Sequence, residues 1–138
     1  DGITEQPEWP IQDERVFQKL FERATSLWIA GKLQPQDEDE GFEAYADFQS
    51  RVYSGLDSLM AAHKQGSRVL LATSGGVIAM TLQRVLQFPD DRVIETNWMV
   101  HNSSVTRLRY GGGKLSLMQF NNIAHLEDPS LKQMISYR

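Results

Sequence analysis

The sequence predicts an α/β fold, helices layered against a sheet, on three observations. Two amphipathic helical patterns fill the first half of the chain. A short apolar run, Val69-Leu70-Leu71-Ala72, then breaks at Thr73-Ser74-Gly75-Gly76 into a third helical pattern. Two β-rich stretches on either side of three consecutive glycines complete the set. At 138 residues the whole chain, 1–138, reads as a single domain.

The opening, with Pro7 and Pro10 around Trp9, reads as an irregular lead-in. From Asp13 onward, Val16, Phe17, Leu20, Phe21, Ala24, Leu27 and Trp28 fall at three- and four-residue steps. That spacing predicts an amphipathic helix with a broad buried stripe, capped by Asp13 and stopped by Gly31. The following polar loop ends in Asp37-Glu38-Asp39-Glu40. Such a carboxylate run is expected to be solvated and to favour the positive end of the next helix rather than to hold a metal. The second helix is expected over residues 42–64, with Tyr45, Phe48, Val52, Leu56, Leu59 and Met60 on one side and Gly66 ending it. His63 falls in its last turn, a favourable place for a cation at the surface.

The apolar run predicts a strand over 69–73, buried on both faces and parallel to its neighbours. The helix after it carries Val77, Ile78, Leu82, Val85 and Leu86 and stops before Pro89. Residues 90–101 lack a clean period and read as loop, with room for a short helix. Strands at 104–110 and 114–120 joined by Gly111-Gly112-Gly113 read as a hairpin. Those glycines do not suit a phosphate loop, because no helix pattern follows them. A weak helical segment near 131–135 ends the chain. A strand buried on both faces needs neighbours on each side, and the chain offers only the hairpin, so the sheet looks incomplete.

Composition narrows the function. A 41% hydrophobic fraction with 23% charged residues suits a soluble globular protein, and no apolar run approaches the roughly 18 residues of a membrane span. A net charge of −4 argues against nucleic acid or an anionic membrane as partner. The absence of cysteine excludes disulfides, thiolate metal sites and a cysteine nucleophile, and fits a cytoplasmic protein. The chain opens Asp1-Gly2-Ile3 without methionine, as expected after removal of a leader or for the C-terminal part of something longer.

The turn at Thr73-Ser74-Gly75-Gly76 is the strongest chemical signal. A strand running through small residues into a helix leaves the first-turn N–H groups pointing outward at the positive end of the helix dipole, an anion site. The same glycines also suit a tight turn with no ligand. Ser74 is not expected to be a nucleophile. Ala72-Thr73 precede it where a nucleophile elbow has a glycine.

Four pieces in order resemble the histidine phosphatase superfamily, the phosphoglycerate mutase-like proteins. They are Thr73-Ser74-Gly75-Gly76-Val77-Ile78, Asn102-Ser103-Ser104-Val105-Thr106-Arg107-Leu108, the glycines at 111–113, and Asn121-Asn122-Ile123-Ala124-His125-Leu126. The helix with Trp28 and Gly31 and the stretch Phe48…Arg51-Val52 resemble the family's middle region, so the likeness spans residues 17–127. It implies a three-layer α/β/α fold with a mostly parallel sheet, here lacking its N-terminal strands. Leu70 and Leu71 facing water without a partner segment would count against that fold.

The resemblance also implies phosphoryl transfer or phosphomonoester hydrolysis through a phosphohistidine, with no metal or cofactor. The family's R-H-G motif, which supplies that histidine, is absent, so no catalytic residue is identifiable in this chain. Ser74 stands where the family usually has a second pocket histidine, and a T-S-G-G subgroup is implied. Ser74, Gly75 and Gly76 are the expected phosphate-binding residues, with Thr73, Asn102 and Ser103 at the rim. The expected ligand is a phosphorylated small molecule or phosphate ion, and a homo-oligomer is compatible with the pattern. The alternative is a non-catalytic member that binds a phosphorylated ligand or a protein partner. Gly75→Val is expected to abolish anion binding by intruding where the backbone meets the ion. His125 is expected to hold the last strand in place, and His101 has no counterpart in the family pattern.

Overall fold

The computed structural model describes residues 13–33, 41–63 and 66–137. The chain divides into two compact units, Asp1–Tyr45 and Ala46–Arg138. The lead-in and the acidic run Asp37-Glu38-Asp39-Glu40 lie outside the described residues.

In the first unit, α1 spans Glu14–Ile29. Asp13 caps it as the sequence predicts: its Oδ1 accepts from the backbone N–H of Arg15 at 2.8 Å and of Val16 at 3.3 Å, satisfying two donors that a helix start leaves free. Gly31, at φ +65°, takes the left-handed conformation that ends a helix. The expected buried stripe is only half covered. Val16, Leu20, Leu27 and Trp28 are half-buried, while Phe17 and Phe21 stack at 6.0 Å and remain exposed. Trp28 is the anchor, donating its Nε1–H to the Glu43 carbonyl at 2.7 Å and meeting the Tyr45 ring edge-on at 5.1 Å. Periodicity tells which side of a helix is apolar; it does not supply the element that covers it.

The second unit is built around one helix. Following α2 (Tyr45–Ala62), α3 (Gly75–Leu86) carries the most buried residues, including Ala79, Met80 and Leu82. Against it lies α4 (Asp91–Met99), so the segment read as mostly loop is largely helical. Val52 of α2, Val93 of α4 and Val100 complete the core. Buried Gln83 is fully engaged. Its amide donates to Asp90 Oδ1 and its oxygen accepts from Gln49 Nε2 at 3.0 Å and the Tyr53 hydroxyl at 3.2 Å.

Strands β1 (Val105–Gly111) and β2 (Lys114–Asn122) form the expected antiparallel hairpin, with Gly111 opposite Lys114 and Leu108 opposite Leu117. Gly112 and Gly113 have φ of +57° and +73°, the two positive values a type I′ turn requires. Beyond β2 the chain makes short 3₁₀ turns at Ala124–Leu126 and Pro129–Met134, where a weak helix is expected.

The strand expected over residues 69–73 is not formed. Residues 67–74 carry no regular secondary structure and no backbone ladder, and Leu70 is 96% exposed. Among the described residues the sheet is the two-stranded antiparallel pair alone, so the mostly parallel three-layer sheet is not shown. An apolar run encodes a preference for burial, but a strand also needs a ladder partner along its edge, and no described segment lies there.

Candidate functional site

The candidate site of the second unit is the N-terminus of α3. Ser74 is the N-cap residue, extended at φ −89° and ψ 163°, but its side chain makes no capping bond. The first helical hydrogen bond runs from Ile78 N–H to the Ser74 carbonyl at 3.1 Å. The amides of Gly75, Gly76 and Val77 therefore have no partner among the described residues. No acidic residue stands in this first turn, so the positive end of the helix dipole is uncompensated.

That helix end opens on a cavity of about 680 Å³. Thr73, Ser74, Gly75, Asn102 and Ser103 all line it, so five of the six sequence-predicted site residues meet there. Gly76 is not in the lining; a Cβ placed on it would sit 3.7 Å from the Phe48 ring. Asn102 is partly engaged elsewhere, its Nδ2 donating to Ser136 Oγ at 3.0 Å and the Tyr137 carbonyl at 3.3 Å. Ser103 sits at φ +62°, a left-handed conformation uncommon for a non-glycine residue.

The structure changes what Gly75→Val would report. A Cβ built there would lie 2.6 Å from Asn97 Oδ1 and 3.5 Å from Val100 Cβ. The missing side chain faces α4 rather than an incoming ion. Gly75→Val would therefore disturb helix packing first, and it is no clean probe of anion binding.

Two lining residues stand beyond the sequence prediction. Ser104 Oγ is buried without a hydrogen-bond partner, and the residue lines the cavity. It lies inside the N-S-S-V-T piece, so the motif pointed near it. His101 also lines the cavity. Asn121 holds its Nδ1 at 2.9 Å through the side-chain NH₂, which makes Nδ1 the acceptor and puts the neutral ring's proton on Nε2. Tyr137 lies against the same ring at 4.1 Å. His125, expected to hold the last strand, is instead exposed in a 3₁₀ turn.

Among the described residues the cavity lining has no arginine, lysine, aspartate or glutamate. Its means of binding an anion are thus backbone N–H groups at one helix end, hydroxyls, and the side chains of Asn102 and His101. Among the described residues no group of three His, Asp or Glu side chains is placed to hold a metal ion, and no helix is long and apolar enough to cross a membrane.

A family model, the histidine phosphatase superfamily (branch 1), matches residues 8–123. The chain belongs to the histidine phosphatase superfamily. The match runs from before α1 through the α3 turn to the end of β2, so it includes Leu70 and Leu71, whose exposure does not overturn it. Neither the curated proteins nor the solved structures give a match.

Proposed function

We propose that the uncapped start of α3 is the phosphate pocket of a histidine phosphatase superfamily protein acting by phosphoryl transfer or phosphomonoester hydrolysis. The phosphohistidine would come from a segment outside these residues, with no metal. Ser74 and the Gly75 and Gly76 amides would bind the phosphoryl oxygens, with Thr73, Asn102 and Ser103 at the rim. The observation that carries this reading is the set of unpartnered first-turn amides after Ser74, opening on a largely apolar cavity to which Thr73, Ser74, Ser103 and Ser104 contribute hydroxyls.

Ser74 sets the chemistry. An imidazolium at this position would add charge and a charge-assisted hydrogen bond, whereas a hydroxyl donates one neutral bond. Loss of such a preorganised donor typically costs ~10²–10³ in rate. The uncharged lining favours the second reading, a non-catalytic member that holds a phosphorylated small molecule or a protein partner.

Titrating inorganic phosphate while following backbone amide shifts tests the pocket. Gly75 and Gly76 are expected to move saturably, with weak affinity, because one helix end supplies only ~0.3–1 kcal/mol. Unmoved amides at high phosphate would leave the turn purely structural. On an aryl phosphate, residues 1–138 alone are expected to show no turnover above background. Robust metal-independent turnover that survives Ser74→Ala would refute the site assignment.

A further inference from the structure

The loop between α4 and β1 brings an imidazole into the cavity on which α3 opens. His101 lines that cavity together with Ser74 and Gly75 and is half-buried. One residue of β2 sets its orientation. Asn121 Oδ1 accepts the His101 backbone N–H at 2.9 Å, and Asn121 Nδ2 donates to the Met99 carbonyl at 2.6 Å. Those two bonds fix which end of the amide is oxygen and which is nitrogen. The contact of Nδ2 with His101 Nδ1 at 2.9 Å is therefore a donation to the ring, and Nδ1 carries the lone pair. Asn121 sits at φ +56°, a left-handed backbone that asparagine tolerates better than most residues. Glycine would suit that backbone but would supply no clasp.

The neutral ring thus carries its proton on Nε2, and among the described residues that N–H has no acceptor. Tyr137 lies against the ring at 4.1 Å and contributes stacking, not a hydrogen bond. Ser104, in the same loop, leaves its Oγ buried without a partner, and it belongs to the same lining. Two polar groups of one loop are therefore unmet beside a helix start whose amides are unmet as well. Unmet polar groups are costly where water is excluded, and here they gather around one cavity.

We infer that His101 is a binding residue for the phosphoryl group, donating its Nε2–H to a phosphoryl oxygen, with Asn121 as its positioning residue. The inference rests on the phosphate reading of the α3 start and adds a second arm to it. Ser74 offers only a hydroxyl at the helix start, and His101 brings an imidazole to the same cavity from a different element. The ligand class is inorganic phosphate or a phosphate monoester, whose charge strengthens each bond it accepts.

The test titrates inorganic phosphate into the 138-residue chain at about pH 8, where an ordinary imidazole is neutral. The Gly75 and Gly76 amides and the His101 ring nitrogens are followed by NMR. Before phosphate, the wild-type ring should show a bare Nδ1 and a protonated Nε2, and Asn121→Ala should show averaged tautomers. With phosphate, the Nε2–H proton should move together with the two amides. His101→Phe keeps a ring against Tyr137 but loses the donor, so affinity should fall roughly tenfold. His101→Gln keeps an N–H donor and should recover most of it. Unchanged affinity in His101→Phe, or equal losses in both variants, would overturn the role of His101 while the moving amides keep the pocket. Should His101→Phe fail to fold, the wild-type Nε2–H decides, and a proton indifferent to phosphate refutes the contact. A wild-type ring protonated on Nδ1 would refute the positioning by Asn121. Amides that stay still in the wild type would sink the pocket and this inference with it.

Discussion

Gly75→Ala should destabilise the protein although alanine is the better helix former. The first turn of α3 gains from the change, since glycine within a helix costs roughly 0.5–1 kcal/mol relative to alanine. Against that, the new methyl would lie 2.6 Å from Asn97 Oδ1, well inside van der Waals contact, and 3.5 Å from both the Asn97 carbonyl and Val100 Cβ. Asn97 and Val100 are 8% and 5% exposed, so neither can swing aside freely. Overpacking of this kind typically costs ~1–3 kcal/mol, which leaves a net loss of up to about 2.5 kcal/mol. Thermal denaturation should register it as a lower Tm, by ~4–8 °C per kcal/mol for a unit of 60–100 residues.

Two further variants isolate the cause. Gly76→Ala places its methyl at an ordinary 3.7 Å from Phe48, so only the helix gain remains and stability should hold or rise slightly. Asn97→Ala removes an Oδ1 that already lacks a hydrogen-bond partner, so in the double variant it should restore most of the stability lost at Gly75. Urea titrations of the four proteins close the cycle. Equal stability of the Gly75 and Gly76 variants, or additive losses in the double variant, would show that the close approach to Asn97 is not what requires glycine.

Asn121→Asp should cost roughly 1–3 kcal/mol, because it turns the NH₂ that donates to the Met99 carbonyl at 2.6 Å and to His101 Nδ1 into an oxygen facing acceptors. Denaturation curves measure the loss, and an unchanged midpoint would remove Asn121 as the clasp on His101. For Tyr53, burial first and the Asp90 charge second push the phenol above its ordinary value, with Arg84 opposing them. The native state then keeps a proton the unfolded chain has released, so stability should fall as the pH rises through the ordinary tyrosine range. A spectrophotometric titration of wild type against Tyr53→Phe checks this; identical alkaline profiles would exclude Tyr53 as a contributor.

What was legible in the sequence was what local chemistry fixes. Asp13 caps α1 through its own carboxylate, Gly31 takes the left-handed end, and Gly112 and Gly113 close the hairpin, each with partners a few residues away. The Ser74-Gly75 turn is equally local, and five of its six expected site residues share one cavity. The division of labour between the two glycines was not legible. Both suit a helix start, but only the fold brings Asn97, twenty-two residues on, against Gly75. The partner of Asn121 was hidden for the same reason, since its clasp on His101 spans two elements.

The stretch at 69–73 fails for a different cause. Its side chains ask for burial, and the sequence states that demand without ambiguity; its backbone asks for a ladder, which composition cannot provide. Leu70 at 96% exposure marks the point where the two demands part. The neighbouring helix forms regardless, because α3 closes its own backbone bonds and packs its buried face on α4. The anion site therefore depends on α3 alone for its amides, while its side wall depends on an extended stretch with no ladder.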